Sequence, residues 1–108
     1  MFKLCVYVPE NTLETVKEAM FAAGGGVIGN YAKCSWQCRG EGQFLPLEGS
    51  DPTVGGLGQI ETVIEYKLEM VCEVAVLESV LAALREAHPY EEPAFQFWRV
   101  NDPVCLSQ

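Results

Sequence analysis

Phe2-Lys3-Leu4-Cys5-Val6-Tyr7-Val8-Pro9-Glu10-Asn11-Thr12-Leu13 is the stretch that decides the fold. Its first half alternates. Phe2, Leu4, Val6 and Val8 point one way and Lys3, Cys5 and Tyr7 the other, the period of a strand with one buried face. Pro9 ends that pattern. From Leu13 the apolar residues recur at helical spacing, through Val16, Met20 and Ala23. Asn11 followed by Glu14 has the form of a capping box, and Gly24-Gly25-Gly26 reads as the helix stop.

The same strand-and-helix alphabet accounts for the rest of the chain. A second strand is expected over residues 30–39, with Ala32, Cys34, Trp36 and Cys38 on one face and Lys33, Ser35, Gln37 and Arg39 on the other. Residues 40–59 hold six glycines and two prolines and read as a long hairpin connection or arm. A third strand follows over about residues 60–71. Its apolar face is Ile60, Ile64, Tyr66, Leu68 and Met70, and its other face Glu61, Val63, Glu65, Lys67 and Glu69. A second helix over 75–87 turns Leu77, Val80, Leu81 and Leu84 inward, and a last strand covers 94–100. The order β-α-β-β-α-β predicts an α+β, ferredoxin-like sandwich: one antiparallel four-stranded sheet with two helices on one face. Residues 1–108 form a single domain on this reading. The face without helices carries Lys3, Cys5, Tyr7, Lys33, Arg39, Val63 and a ladder of glutamates, and is either solvated or packed on a neighbouring subunit.

At 108 residues and 49% hydrophobic, the chain has the size and composition of one folded domain. Its net charge of −8, from 15 acidic and 7 basic side chains, argues against nonspecific binding to nucleic acid or an anionic membrane. No apolar run is long enough to span a bilayer. Five cysteines without a secretory pattern point to reduced thiols in the cytoplasm. Cys105-Leu106-Ser107-Gln108 matches a prenylation box in letters, but Ser107 is not aliphatic and no polybasic stretch precedes it.

Two other motifs lose to their context. Gly24-Gly25-Gly26-Val27-Ile28-Gly29 fits the dinucleotide fingerprint, yet a helix precedes it and a strand follows, the reverse of what a pyrophosphate site needs. Cys34 and Cys38, four apart on a strand, would lie roughly 13 Å from each other, too far to bridge or to share one ion, and read as buried small hydrophobes. A Cys-His nucleophile pair with His88 has no orienting group.

The densest chemistry is His88-Pro89-Tyr90-Glu91-Glu92-Pro93, between the second helix and the last strand. The two prolines stiffen it. His88, Glu91 and Glu92 are the types that hold a divalent metal, although three ligands on one short turn need a further subunit to complete a shell. The structural reading places His88 at the helix C-terminus, where a cation interacts favourably with the dipole. Tyr90 and the glutamates then organise the junction of helix and strand.

Ile28-Gly29-Asn30-Tyr31 and Cys34-Ser35-Trp36 resemble a signature of the Nif-three-like (YqfO) family. Gly40-x-Gly42-x-Phe44-x-Pro46, Gly49-x-x-Pro52, Gly55, then Glu61, Glu65 and Glu69 continue it, as does His88 through Ala94. The resemblance covers essentially the whole chain. It implies a domain that larger members carry inserted between two halves of a metal-dependent, hydrolase-like protein. The expectation is a standalone copy of that domain. The family's two-metal centre uses several histidines and carboxylates of the flanking halves, and this chain has one histidine. The inserted domain is similar in fold to the CutA and PII proteins, which are trimers, and CutA proteins share a Tyr-Glu-x-Pro turn, matched here by Tyr90-Glu91-Glu92-Pro93.

Together these readings predict a non-enzymatic, oligomeric binding or regulatory module, a trimer before a dimer, with Asn30, Tyr31, Trp36, Phe44, His88, Tyr90, Glu91 and Glu92 as ligand or interface residues. A CutA-like binder of divalent metal, through His88, Glu91 and Glu92, is the alternative, and a cysteine-dependent enzyme the second. No cofactor is implied beyond that metal ion.

Overall fold

A computed structural model describes residues 1–52 and 55–102. Six main elements follow the expected order: β1 (Phe2–Pro9), α1 (Leu13–Ala22), β2 (Trp36–Phe44), β3 (Glu61–Cys72), α2 (Leu77–Ala87) and β4 (Phe95–Arg99). The sheet order is β2-β3-β1-β4, with every neighbour antiparallel. This is the ferredoxin-like sandwich. β1 is central because its alternation supplies Leu4, Val6 and Val8 to the face that both helices cover. Those three meet Leu13, Val16 and Met20 of α1, Leu68 and Met70 of β3, and Val80 and Leu84 of α2. Each such side chain contributes on the order of 1.5–3 kcal/mol on burial.

The helix ends show which local signals were obeyed. Gly25 N–H donates to Met20 O at 3.0 Å and Gly24 N–H to Phe21 O at 3.0 Å, while Gly24 sits at φ +112°. That pair of bonds is a Schellman stop, and the positive φ is why a glycine stands there. The start of α1 departs from expectation. A 3-10 turn, Glu10–Thr12, precedes it, and Thr12, not Asn11, occupies the N-cap without a side-chain capping bond. Thr12 Oγ1 instead donates to Pro9 O at 3.3 Å. A 3-10 turn, Val74–Val76, also leads into α2.

The largest correction concerns β2. It begins at Trp36 rather than near residue 30 and runs on through Gly40 and Gly42 to Phe44, into the segment expected to be loop. Its faces are also exchanged. Trp36 and Cys38 lie opposite Glu69 and Lys67, on the side away from the helices. Arg39 lies opposite Tyr66, on the helix side, and its Nε meets Glu10 Oε1 at 3.6 Å. Lys33 is in no strand: it has φ +55° and its Nζ donates to Glu18 Oε2 of α1 at 3.3 Å. A one-residue slip reverses a whole strand, and β2 had no strong pattern to prevent it, since nearly all of it is exposed. For the same reason Cys38 is exposed, not a buried hydrophobe, and Cys34 is half-buried ahead of the strand. Cys5 goes the other way and is 3% exposed on the face without helices. Together β2 and β3 make a long ladder, and the molecule measures 54 × 23 × 22 Å. The prenylation-like tail, with Cys105, lies outside the described residues.

Candidate functional site

His88 is where the helix and the turn are joined. It precedes Pro89, which disfavours a helical backbone, so His88 is extended at φ −72°, ψ 134° and ends α2. Its N–H still reaches Leu84 O at 2.9 Å. The ring folds inward and is 6% exposed. Its Nδ1 accepts from Tyr90 N–H at 3.1 Å, which leaves Nε2 to donate to Tyr7 O at 2.7 Å. Burial lowers the imidazole pKa, against an opposing pull from the Tyr7 carbonyl and the Glu65 charge. His88 is therefore a neutral strut between α2, β1 and the turn, not the cation expected at the helix dipole. Both ring nitrogens are committed to backbone, so neither is available to activate a cysteine.

The strut sets Tyr90. Its ring lies 5.0 Å from that of His88 and 5.9 Å from that of Phe44, at the end of β2. Its hydroxyl is buried and lacks a well-formed hydrogen bond. Burial, then the charge and acceptor oxygens of Glu65, push the phenol up to about 12. Glu65 reaches this place because β2 has a notch. A Cβ on Gly42 would run into the Glu65 carboxylate, so the missing side chain leaves room for that group to lie across the strand.

Beyond Tyr90 the turn closes on the arm. Glu91 Oε1 accepts from Asp51 N–H at 3.0 Å, and Gly58 N–H donates to Pro46 O at 2.8 Å to fold the arm's tip on itself. Between turn and arm runs a groove of about 510 Å³. Its walls include Tyr7, Phe44, Leu45, Pro46 and Tyr90, and its charged lining among the described residues is Glu65, Glu91 and Glu92, with no basic residue. None of these carboxylates belongs to an ion pair among the described residues. Nor do three histidine, cysteine or acidic groups there converge closely enough to hold a metal.

Four of the expected residues, Phe44, Tyr90, Glu91 and Glu92, thus line one groove, with His88 positioning Tyr90 behind it. The other three do not join them. Asn30 and Tyr31 belong to a turn closed by the Ile28–Tyr31 bridge, and Tyr31 is 75% exposed. Trp36 starts β2, roughly 27 Å along the strand from Phe44. Sequence reasoning missed Tyr7, Gly42 and Glu65 as site residues. The alternation of the first and third strands placed Tyr7 and Glu65 on the same sheet face. The glycine beside them was the available sign that something crosses β2.

Comparison with known proteins agrees with this architecture. No protein-family model matches the chain. It is 46% identical over 101 residues to a protein of Mycobacterium tuberculosis called GTP cyclohydrolase 1 type 2 homolog, and 42% identical over 99 residues to one of that name in Bacillus subtilis. A Bacillus cereus crystal structure described as related to NIF3 superposes with a TM-score of 0.80 at 36% identity, over 94% of this chain. The chain matches one segment of these Nif-three-like proteins in sequence and fold. It spans only about a quarter of those relatives: 27% and 26% of the two curated proteins and 26% of the Bacillus cereus chain. CutA of Synechococcus elongatus has the same fold, with a TM-score of 0.66 at 18% identity over 98% of this chain and 82% of that one. The chain thus has the fold of CutA, and none of its described helices is long and apolar enough to cross a membrane.

Proposed function

We propose that this chain is a non-enzymatic, self-associating binding module whose ligand site is the groove between the arm and the 88–93 turn. The groove carries the reading. It has the size of a small-molecule site, walls of rings and aliphatic carbons, and a few polar groups in its lining. Its one neighbouring imidazole has no free nitrogen with which to act as a base. The relatives' name suggests GTP, but a groove lined by three carboxylates and by no described basic residue repels a triphosphate.

Self-association is supported by the exposed apolar residues. Leu45, Leu47, Leu57 and Ile60 stand out on the arm, and Val27, Ile28, Tyr31 and Trp36 near the other end of the ladder. Exposure on that scale marks association surfaces, and β2 and β4 are open sheet edges. A homotrimer is the expected stoichiometry. Light scattering at micromolar concentration tests it: a monomer overturns self-association, and a dimer overturns the trimer alone.

A further inference from the structure

We propose that the groove takes a small organic cation, an ammonium or guanidinium group carried on an apolar stem. This rests on the groove being the module's binding site and narrows what fills it.

Charge balance inside a partly apolar groove points to a cation. Glu65, Glu91 and Glu92 line the groove, and among the described residues no Lys, Arg or His lines it with them; Arg85 shares only the adjoining cavity with Glu91 and Glu92, not with Glu65. The described ion pairs use Glu10, Glu14, Glu18 and Glu69, and what sets the groove acids apart from the other unpaired ones is that three of them line one cavity. Glu65 is the least solvated of the groove's three, half-buried against the hidden Tyr90 hydroxyl and cradled over Gly42. A carboxylate withdrawn from water without a counter-charge is unfavourable, and a bound cation relieves it. A bare metal ion answers poorly, because the carboxylates do not converge on one point. A spread set of acids around about 510 Å³ suits a longer molecule.

The apolar wall selects the rest of the ligand. The rings of Phe44 and Tyr90 lie 5.9 Å apart, tilted by 55°, along one side, with Leu45 and Pro46 continuing it. Ring faces attract an organic cation, and a methylene stem covers the aliphatic part. N–H donors on the cation make charge-assisted bonds to the acids, and a guanidinium makes two to one carboxylate. Glu91 has one oxygen engaged by the Asp51 amide and the other available.

Calorimetric titration of the full chain at low salt with agmatine, which carries both cation types on a four-carbon stem, tests this. The expected dissociation constant is about 1 mM or tighter, typical for so small a ligand. Glu65→Gln is expected to weaken binding about tenfold or more, and raising the salt to weaken it further. If Glu65→Gln fails to fold, Glu92→Gln, on an exposed residue, carries the same test. Equal binding by the wild type and by the Glu65→Gln/Glu92→Gln double variant would overturn the proposal as diffuse surface attraction. Binding of the neutral analogue n-butylurea but not of agmatine, lost in Phe44→Ala, would overturn the cation and leave the groove as a site. Binding of neither would overturn both.

Discussion

The two ends of the β2–β3 ladder share one hydrogen-bond register and little else. Toward Cys72, β3 lies under both helices, and Leu68, Met70 and Cys72 are buried. Toward Glu61 the same strand runs out from under them, with a partner that is exposed along most of its length. The body is ordered by apolar burial. The arm is ordered by its ladder, by Phe44 on Tyr90 and by Glu91 on the Asp51 amide. Polar chemistry gathers at the seam, where rings and carboxylates line one groove without being sealed in a core.

The comparison breaks first if the two ends respond alike to truncation. Leu84→Ala or Met20→Ala empties a fully buried site and is expected to cost about 2–5 kcal/mol. Leu47→Ala, 67% exposed on the arm, is expected to change stability by less than about 0.5 kcal/mol. Urea unfolding of the three variants measures both, in protein dilute enough to keep subunit dissociation out of the comparison. A loss at Leu47 as large as at Leu84 would mean the arm is part of the folding core.

His88 sits on the boundary, and its loss comes next in size. His88→Ala leaves the Tyr7 carbonyl and the Tyr90 N–H without their partner, for an expected cost of about 1–3 kcal/mol. The same residue gives a pH dependence. Its pKa is lowered in the fold by burial, so the unfolded chain takes up the proton first. Unfolded protein then binds more protons than folded, and stability falls as pH falls below about 6.5, the ordinary histidine value. Its contribution is fully present above that pH. The wild-type melting midpoint should drop between pH 7 and 5.5 more steeply than that of His88→Ala. Parallel curves would show that the ring is not buried as a neutral strut.

These residues also show what was legible. The helix faces and the inner faces of β1 and β3 were read correctly except at Ile60, which precedes β3 and is exposed, because residues such as Leu4, Val6, Leu68, Val80 and Leu84 have an apolar periodicity that only one packing satisfies. β2 was misplaced because Trp36, Gln37, Cys38 and Arg39 face no core on either side, so composition could not say which way each points. Asn11 followed by Glu14 spelled a cap that the chain did not use, since the 3-10 turn after Pro9 moved the helix start to Leu13. The turn at 88–93 stood out by its residue types. Its partners were hidden, because Tyr7, Glu65 and Asp51 reach it through tertiary contacts that leave no local pattern.

Gly42 sharpens the comparison with a smaller effect. Gly42→Ala puts a methyl group where the Glu65 carboxylate lies. Glu65 is a flexible side chain and moves aside, so stability should change by about 1 kcal/mol or less. The electrostatic reading should move more. With the carboxylate displaced from Tyr90, the phenol, now pushed up to about 12, should titrate closer to its ordinary value of 10. Ultraviolet titration of the wild type and Gly42→Ala, each against its own Tyr90→Phe control, isolates that one tyrosine. An unchanged Tyr90 titration would mean that Glu65 is not held over the notch.

The smallest expected effect is at Glu91. Its carboxylate is exposed and accepts one bond, from the Asp51 amide at 3.0 Å. Glu91→Gln keeps an oxygen able to accept that bond, so the stability change should stay within about 0.5 kcal/mol. Zinc should not enlarge it. Both His88 nitrogens already serve backbone groups, and two neighbouring glutamates are a weak pair of ligands on their own. Unfolding midpoints of wild type and Glu91→Gln, each with chelator and with zinc, should agree across all four samples. A zinc-dependent rise in the wild type that Glu91→Gln abolishes would restore the metal site at this turn. It would also mean that His88 exchanges a backbone partner for the ion, so the strut would be a switch and the rigid side of the seam would be the arm.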